Sequence, residues 1–203
     1  ANNSSSLAIE VVDASQPNLT ADGSSLVTAP AILDQGAIGE LHAVVRSTGT
    51  AVATPVRIEA SIGSSIGASR VLASVTLADG IAAGVEVPVV IPLTTVTESG
   101  TQTLFLRVDA DNAVAESSEA DNVAFKQVTV RSLPDLAVSA ASIRLTPTIP
   151  VVGELLRADL NVRNLGGQPA EQVILHLLAG DVQSGQPVGL PVTIARIEAN
   201  ASA

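Results

Sequence analysis

The 203-residue sequence has no cysteine, methionine, tryptophan or tyrosine, and its only aromatic rings are Phe105 and Phe125. Without Cys there is no disulfide scaffold, no thiolate zinc site and no cysteine nucleophile. Without Met, Ala1 is not a translational start, so the reading is of a processed chain or an excerpt. The scarcity of aromatics removes the platforms on which single-stranded nucleic acid and many sugars stack. Positive charge is also short: ten basic residues stand against twenty acidic ones, a net charge of −10. That sign is wrong for phosphate backbones and anionic membranes, which argues against a nucleic-acid partner. No apolar run approaches the roughly 20 residues of a membrane-spanning helix.

What is present is aliphatic and alternating. At 46% hydrophobic residues the chain has enough apolar side chains to fold. Val56, Ile58, Ala60 and Ile62 alternate with Arg57, Glu59 and Ser61, and Leu156, Ala158, Leu160 and Val162 alternate with Arg157, Asp159, Asn161 and Arg163. A period of two puts the aliphatic set on one face of a strand and the polar set in water. Further strands are expected at 7–13, 40–46, 70–77, 85–91, 102–108, 123–130, 136–145, 172–179 and 188–195. Turn signals such as Asp22-Gly23, Asp79-Gly80, Asn112, Gly166-Gly167 and Gly180-Asp181 separate them, a pattern that predicts an all-β chain of antiparallel sandwiches.

The sequence also repeats itself. At an offset of 117, Gly36, Val45, Arg46, Gly49, Ala53, Val56 and Gly63 fall on Gly153, Val162, Arg163, Gly166, Ala170, Val173 and Gly180, and Val75-Thr76-Leu77 falls on Val192-Thr193-Ile194. After one deletion Ile81 and Ala83 meet Ile197 and Ala199. Two copies of one domain are expected, 1–131 and 134–203, joined at Arg131-Ser132-Leu133-Pro134. Leu7-Ala8-Ile9 matches Leu136-Ala137-Val138, with about a dozen additional residues around 15–30 of the first copy. Ala203 corresponds to Val87, so Pro88–Val130 has no counterpart in the second copy. The second sandwich is therefore expected to lack its last strands and to need a cover. That cover would be more of the same polypeptide or a strand donated by a like subunit, with 7–13 one candidate donor.

The acidic run Val108-Asp109-Ala110-Asp111-Asn112-Ala113-Val114-Ala115-Glu116-Ser117-Ser118-Glu119-Ala120-Asp121-Asn122 resembles the last hairpin of the bacterial cell-adhesion-related domain, CARDB. Pro134-Asp135-Leu136, Pro150-Val151-Val152-Gly153-Glu154 and Val162-Arg163-Asn164-Leu165-Gly166 resemble that domain's opening and second strand. The first copy departs from the family at Arg46-Ser47-Thr48-Gly49, where the family favours Asn. The resemblance implies an immunoglobulin-like sandwich in exported prokaryotic surface proteins, and it implies no catalytic residues.

Asp109, Asp111, Glu116, Glu119 and Asp121 place five carboxylates in thirteen residues without a Lys or Arg, and Asn112 and Asn122 add neutral oxygens. Hard oxygen donors in a loop suit Ca²⁺, although the EF-hand spacing is not met. The same Asp and Asn residues would equally hold a turn through side chain to backbone hydrogen bonds. Gly63-Ser64-Ser65-Ile66-Gly67 fits the GxSxG expression of a hydrolase elbow, but it lies between antiparallel strands with no helix after it, so a flexible loop is expected. His42 and His176 fall in different copies and share no site. Arg46 and Arg163 occupy equivalent positions, each able to pair with a nearby carboxylate. Asn2, Asn18 and Asn200 open glycosylation sequons. The sequence thus predicts a non-enzymatic structural or adhesive module, extracellular or at the cell surface, whose partners are further domains or like subunits. The alternatives are a filament subunit completed by strand donation and a Ca²⁺- or carbohydrate-binding module of a larger secreted protein. No cofactor is required, and Ca²⁺ is the one ion suggested.

Overall fold

The computed structural model describes residues 16–181 and 183–203. Compactness divides the chain into two units. One is centred on the residues up to Val128 and the other on those after it. Among the described residues all regular elements are strands and single 3-10 turns, and no helix is long and apolar enough to cross a membrane.

The first unit is an immunoglobulin-like antiparallel sandwich. Its strands are β1 (Leu19–Ala21), β2 (Val27–Ala29), β3 (Leu33–Asp34), β4 (Gly39–Ser47), β5 (Val56–Gly63), β6 (Ser69–Leu77), β7 (Glu86–Leu93), β8 (Gly100–Val108) and β9 (Val123–Arg131). One sheet sets β1 and β2 against one side of β4 and β7 against the other; the second runs β3-β9-β8-β5-β6. In β5 Val56, Ile58 and Ala60 are at 0% exposure, as the alternation predicts, but a bulge between Ala60 and Ser61 breaks it and buries Ser61, which was expected in water. Leu41 and Val45 of β4, Ile91 of β7 and Leu104 and Leu106 of β8 fill the same core. The edge strand β7 carries Pro88 and Pro92, which lack the N–H that another chain would pair with. Between β8 and β9 lies the acidic segment, carried at one end of the second sheet.

The second unit contains β10 (Leu136–Val138), β11 (Arg144–Thr146), β12 (Arg157–Asp159), β13 (Val162–Asn164), β14 (Ala170–Leu175), β15 (Leu178–Ala179), β16 (Gln186–Pro187) and β17 (Val192–Ile197). These pair as four two-stranded ribbons, β10-β13, β11-β12, β14-β17 and β15-β16. Its registers repeat those of the first unit. Val56 pairs with Leu77 and Ile58 with Val75, as Val173 pairs with Ile194 and Leu175 with Val192. The bridge between Ala53 and Ile81 returns as the pair Ala170 and Ile197. Val45 opposite Val87 returns as Val162 opposite Ala203, whose N–H and C=O each bond Val162 at 2.9 Å.

The expected start of the first copy is corrected by these registers. Leu19, Thr20 and Ala21 pair with Ser47, Arg46 and Val45, as Leu136, Ala137 and Val138 pair with Asn164, Arg163 and Val162. The 3-10 turn Gly23–Ser25, N-capped by Asp22, stands where Ala140–Ser142 is N-capped by Ser139. The offset of 117 therefore holds through the first strand, and the insertion placed around 15–30 is absent. The expected strand and donor 7–13 lies outside the described residues.

The expected strand 172–179 is broken after Leu175, and of 188–195 only the part from Val192 is strand, as β17. Val162, Ala170, Val173 and Ile197 form a small buried cluster, with Leu160, Leu175 and Ile194 partly buried against it. Leu156, Ala158 and Leu160 keep the expected alternation yet are only half-buried. Few strands face them.

Candidate functional site

The site begins where β8 ends. Asp109 has φ of 47° and Asn112 has φ of 51°, left-handed conformations that Asp and Asn tolerate better than other residues with a Cβ. The chain reverses there: the Asn112 N–H bonds the Asp109 carbonyl at 2.9 Å. The Asp109 carboxylate is buried, with Oδ1 accepting from the Ala113 N–H at 3.1 Å and Oδ2 from the Val114 N–H at 2.9 Å. Asp109 thus holds the turn, as side chain to backbone bonding leads one to expect.

The segment then folds back over the turn. Glu116 is half-buried; its Oε2 accepts from the Leu19 N–H and its Oε1 from Asn122 Nδ2 at 3.0 Å. Exposed Glu119 accepts from the Glu116 N–H at 3.3 Å and from Asn122 Nδ2 at 3.2 Å. One carboxylate oxygen from each of Asp109, Glu116 and Glu119 lies within 4.8 Å of the others, the one such group among the described residues.

The other two expected carboxylates are diverted. Asp111 is exposed and bonds Arg57 Nη1 at 2.6 Å, and Arg57 also reaches Glu59 at 3.1 Å. Asp121 turns to Asn18, whose Nδ2 donates to Asp121 Oδ2 at 3.0 Å. Asn112 remains exposed in the turn, whereas Asn122 is buried, 6% exposed, with its amide against both glutamates. Asn122 Oδ1 and Asp121 Oδ1 are both buried and accept no hydrogen bond.

Burial pushes the Glu116 carboxyl above its ordinary pKa, and the charges of Glu119 and Asp109 push the same way; the Leu19 N–H and the Asn122 amide oppose the shift. Between the ordinary value and the raised one, the folded form holds more protons than the unfolded chain, so stability falls as pH rises through that window. In the presence of chelator, Glu116→Gln is expected to flatten that fall. Melting temperatures of both proteins stepped from pH 4 to pH 7 test it, and parallel curves would refute the assignment.

Asn18 is a contributor the sequence concealed inside a sequon. It is 9% exposed, its Nδ2 also donates to Thr48 Oγ1 at 2.8 Å, and its Oδ1 accepts from Ser117 Oγ at 3.0 Å. An amide so engaged is unsuited to carry a glycan. The GxSxG segment is a hairpin connection between antiparallel β5 and β6, closed by the 3-10 turn Ile66–Ala68. His42 is exposed and pairs with Glu40 at 3.1 Å, and His176 is exposed in the second unit. Arg46 pairs with Glu86 at 2.5 Å, while Arg163 lies opposite Ser202.

Comparison with known proteins places this geometry. The CARDB family model matches residues 16–126. Among solved structures, the chain is similar to the CARDB domain of a Pyrococcus furiosus protein in complex with di-metal ions. The identity is 21% and the TM-score 0.45, over 60% of this chain and 99% of that one. It is also similar to a domain of a Methanosarcina acetivorans protein named for a cell-surface location, with 19% identity and a TM-score of 0.44 over 57% and 92% of the two chains. A β-glucosidase from Erythrobacter marinus matches at 13% identity and a TM-score of 0.40, over 56% of this chain and 15% of the enzyme. No curated protein sequence matches the chain.

Proposed function

The chain belongs to the CARDB family, and from that membership we propose that it is a non-catalytic spacer and adhesive module of an exported prokaryotic surface protein, with a Ca²⁺ site in its acidic hairpin. The observation that carries the ion is the convergence of Asp109, Glu116 and Glu119 beside a buried carbonyl oxygen, Asn122 Oδ1, that has no donor. Three anionic oxygens without a cationic side chain among 109–121 repel one another, and a hard divalent ion relieves that repulsion. Buried acceptors are ordinarily satisfied; the Asn122 amide now donates through Nδ2 to Glu116 and Glu119, and turning it over would offer its idle oxygen to an ion that takes 6–8 oxygens. Glu119, being exposed, leaves a way in.

Titration calorimetry of the 203-residue chain with Ca²⁺ and with Mg²⁺ tests the reading. A saturable heat with Ca²⁺ that Asp109→Asn and Glu119→Gln each weaken at least tenfold is expected. The melting temperature should also rise with Ca²⁺ and fall back with chelator. No heat at millimolar Ca²⁺ would leave the carboxylates as turn chemistry alone.

The second unit is read as another copy of the same domain, holding the first strands and the opening of the next. The equivalent registers of Val56 and Val173, Leu19 and Leu136, and Val87 and Ala203 support this. A rigid sandwich in series with a second one holds a spacing, and its loops and strand edges are what a protein partner would meet. Strand donation by a like subunit is favoured by one observation. Among the described residues, Ala201–Ala203 lie along β13 on the side away from β10, and no strand pairs with β12 on the side away from β11. Sugar binding has no such support, since Trp and Tyr are absent.

A further inference from the structure

We propose that the carboxylate cluster is a cation-operated latch on the first strand of the sandwich, so that occupancy of the site sets how firmly Pro17–Ala21 is held. The proposal rests on the reading of Asp109, Glu116 and Glu119 as a cation site.

β1 is only three residues long, and its pairing with β4 supplies few ladder bonds. The acidic hairpin supplies others. The Leu19 N–H donates to Glu116 Oε2. Ser117 N–H donates to the Pro17 carbonyl at 3.0 Å, and Ala21 N–H reaches the Asp121 carbonyl at 3.4 Å. Ser117 Oγ and Asp121 Oδ2 grip the two ends of the Asn18 amide. The strand is thus held on one side by 45–50, where the Thr48 N–H also bonds the Asn18 carbonyl at 2.7 Å and the Thr50 N–H the Gln16 carbonyl at 3.0 Å, and on the other by 116–121, the segment that contributes two of the three clustered carboxylates.

The coupling lies at Glu116, one carboxylate with two tasks: Oε2 receives the strand, and the group belongs to the cluster. Without an ion, the half-buried Glu116 faces two like charges, and swinging outward relieves both repulsion and desolvation at the cost of the Leu19 bond. A bound cation reverses that preference, because the ionised carboxylate is then attracted inward. Asn122 is the second feature: its Nδ2 faces Glu116 and Glu119 while its Oδ1 is buried without a donor, and turning the amide over presents that oxygen to a cation in place of Nδ2. By linkage, a strand that needs Glu116 in place and an ion that needs it there stabilise each other.

Amide hydrogen exchange on the full 203-residue chain separates the latch from the site. At Ca²⁺ one hundred times its dissociation constant, a state that cannot bind the ion is suppressed about a hundredfold. The Leu19 and Ser117 amides are expected to slow by about that factor, and Glu119→Gln, which touches none of residues 17–21, should abolish the response. If calorimetry shows Ca²⁺ binding and core amides of β5 slow, yet Leu19 exchanges at an unchanged rate, the strand is released with the ion in place. The latch then falls and the site stands. If no binding heat appears, both fall.

Discussion

Asp109→Ala, measured by urea unfolding with chelator present, is expected to destabilise the first sandwich by about 2–4 kcal/mol, because a buried donor left without its acceptor costs roughly 1–3 kcal/mol. Two N–H groups, those of Ala113 and Val114, lose their acceptor at once, and the Val114 side chain that they position is itself buried. The backbone adds to the loss, since Asp109 has φ of 47° and a left-handed Ala costs about 1 kcal/mol. One effect opposes: removing a carboxylate relieves Glu116 of a like charge. That relief acts on a half-buried group that solvent screens, so the lost hydrogen bonds decide the sign. Asp109→Asn keeps one acceptor and tolerates the same backbone, and it should lose about half as much. A loss below about 1 kcal/mol for Asp109→Ala would mean that this carboxylate does not hold the turn. Chelator matters because the same substitution also removes a proposed Ca²⁺ ligand.

The strands that could be read in the sequence are those whose burial is one-sided and long enough to alternate. Val56 to Ile62 is such a strand: its four aliphatic residues are buried, and the one departure is Ser61, buried as well past the bulge at Ala60. Leu19–Ala21 and Val27–Ala29 could not be read that way, because a 3-10 turn cuts one edge strand into pieces of three residues, shorter than the period needs to declare itself. The repeat held the missing clue: at an offset of 117, Asp22-Gly23-Ser24-Ser25 falls on Ser139-Ala140-Ala141-Ser142, and both segments are capped 3-10 turns. For the acidic hairpin, residue type and proximity along the chain suggest five ligands, while the fold gathers three. Asp111 was lost to Arg57, which pairing of β5 with β8 brings alongside, and Asp121 to Asn18, about a hundred residues away in the chain. Long-range partners of this kind leave no local pattern. The role of Asn18 was hidden for the same reason.

The second unit repeats the first in register but not in burial, and a pair of equivalent substitutions should expose the difference. Ile58 sits opposite Val75 and Leu175 opposite Val192, so the two occupy one place in the fold. Ile58 is 0% exposed, packed between both sheets of its sandwich. Leu175 is only partly buried, and its cross-strand partner Val192 is 59% exposed. Truncating a fully enclosed aliphatic side chain costs the lost transfer energy and the cavity left behind, about 2–5 kcal/mol for Ile58→Ala. At Leu175 water already reaches the side chain, so little cavity forms and the cost should be about half that or less. Segment-resolved hydrogen exchange in urea reads the two units separately: Ile58→Ala should shift the protection of β5 and β8, and Leu175→Ala should barely move that of β14 and β17. The unsubstituted chain should meanwhile bind an apolar dye, since Leu155 and Leu190 are each 91% exposed beside this half-covered face. Any element that covers the face would raise the cost of Leu175→Ala toward that of Ile58→Ala and displace the dye. Equal costs in the chain alone would show that the face is already enclosed, and that the unpaired side of β12 is not a place where a partner is needed.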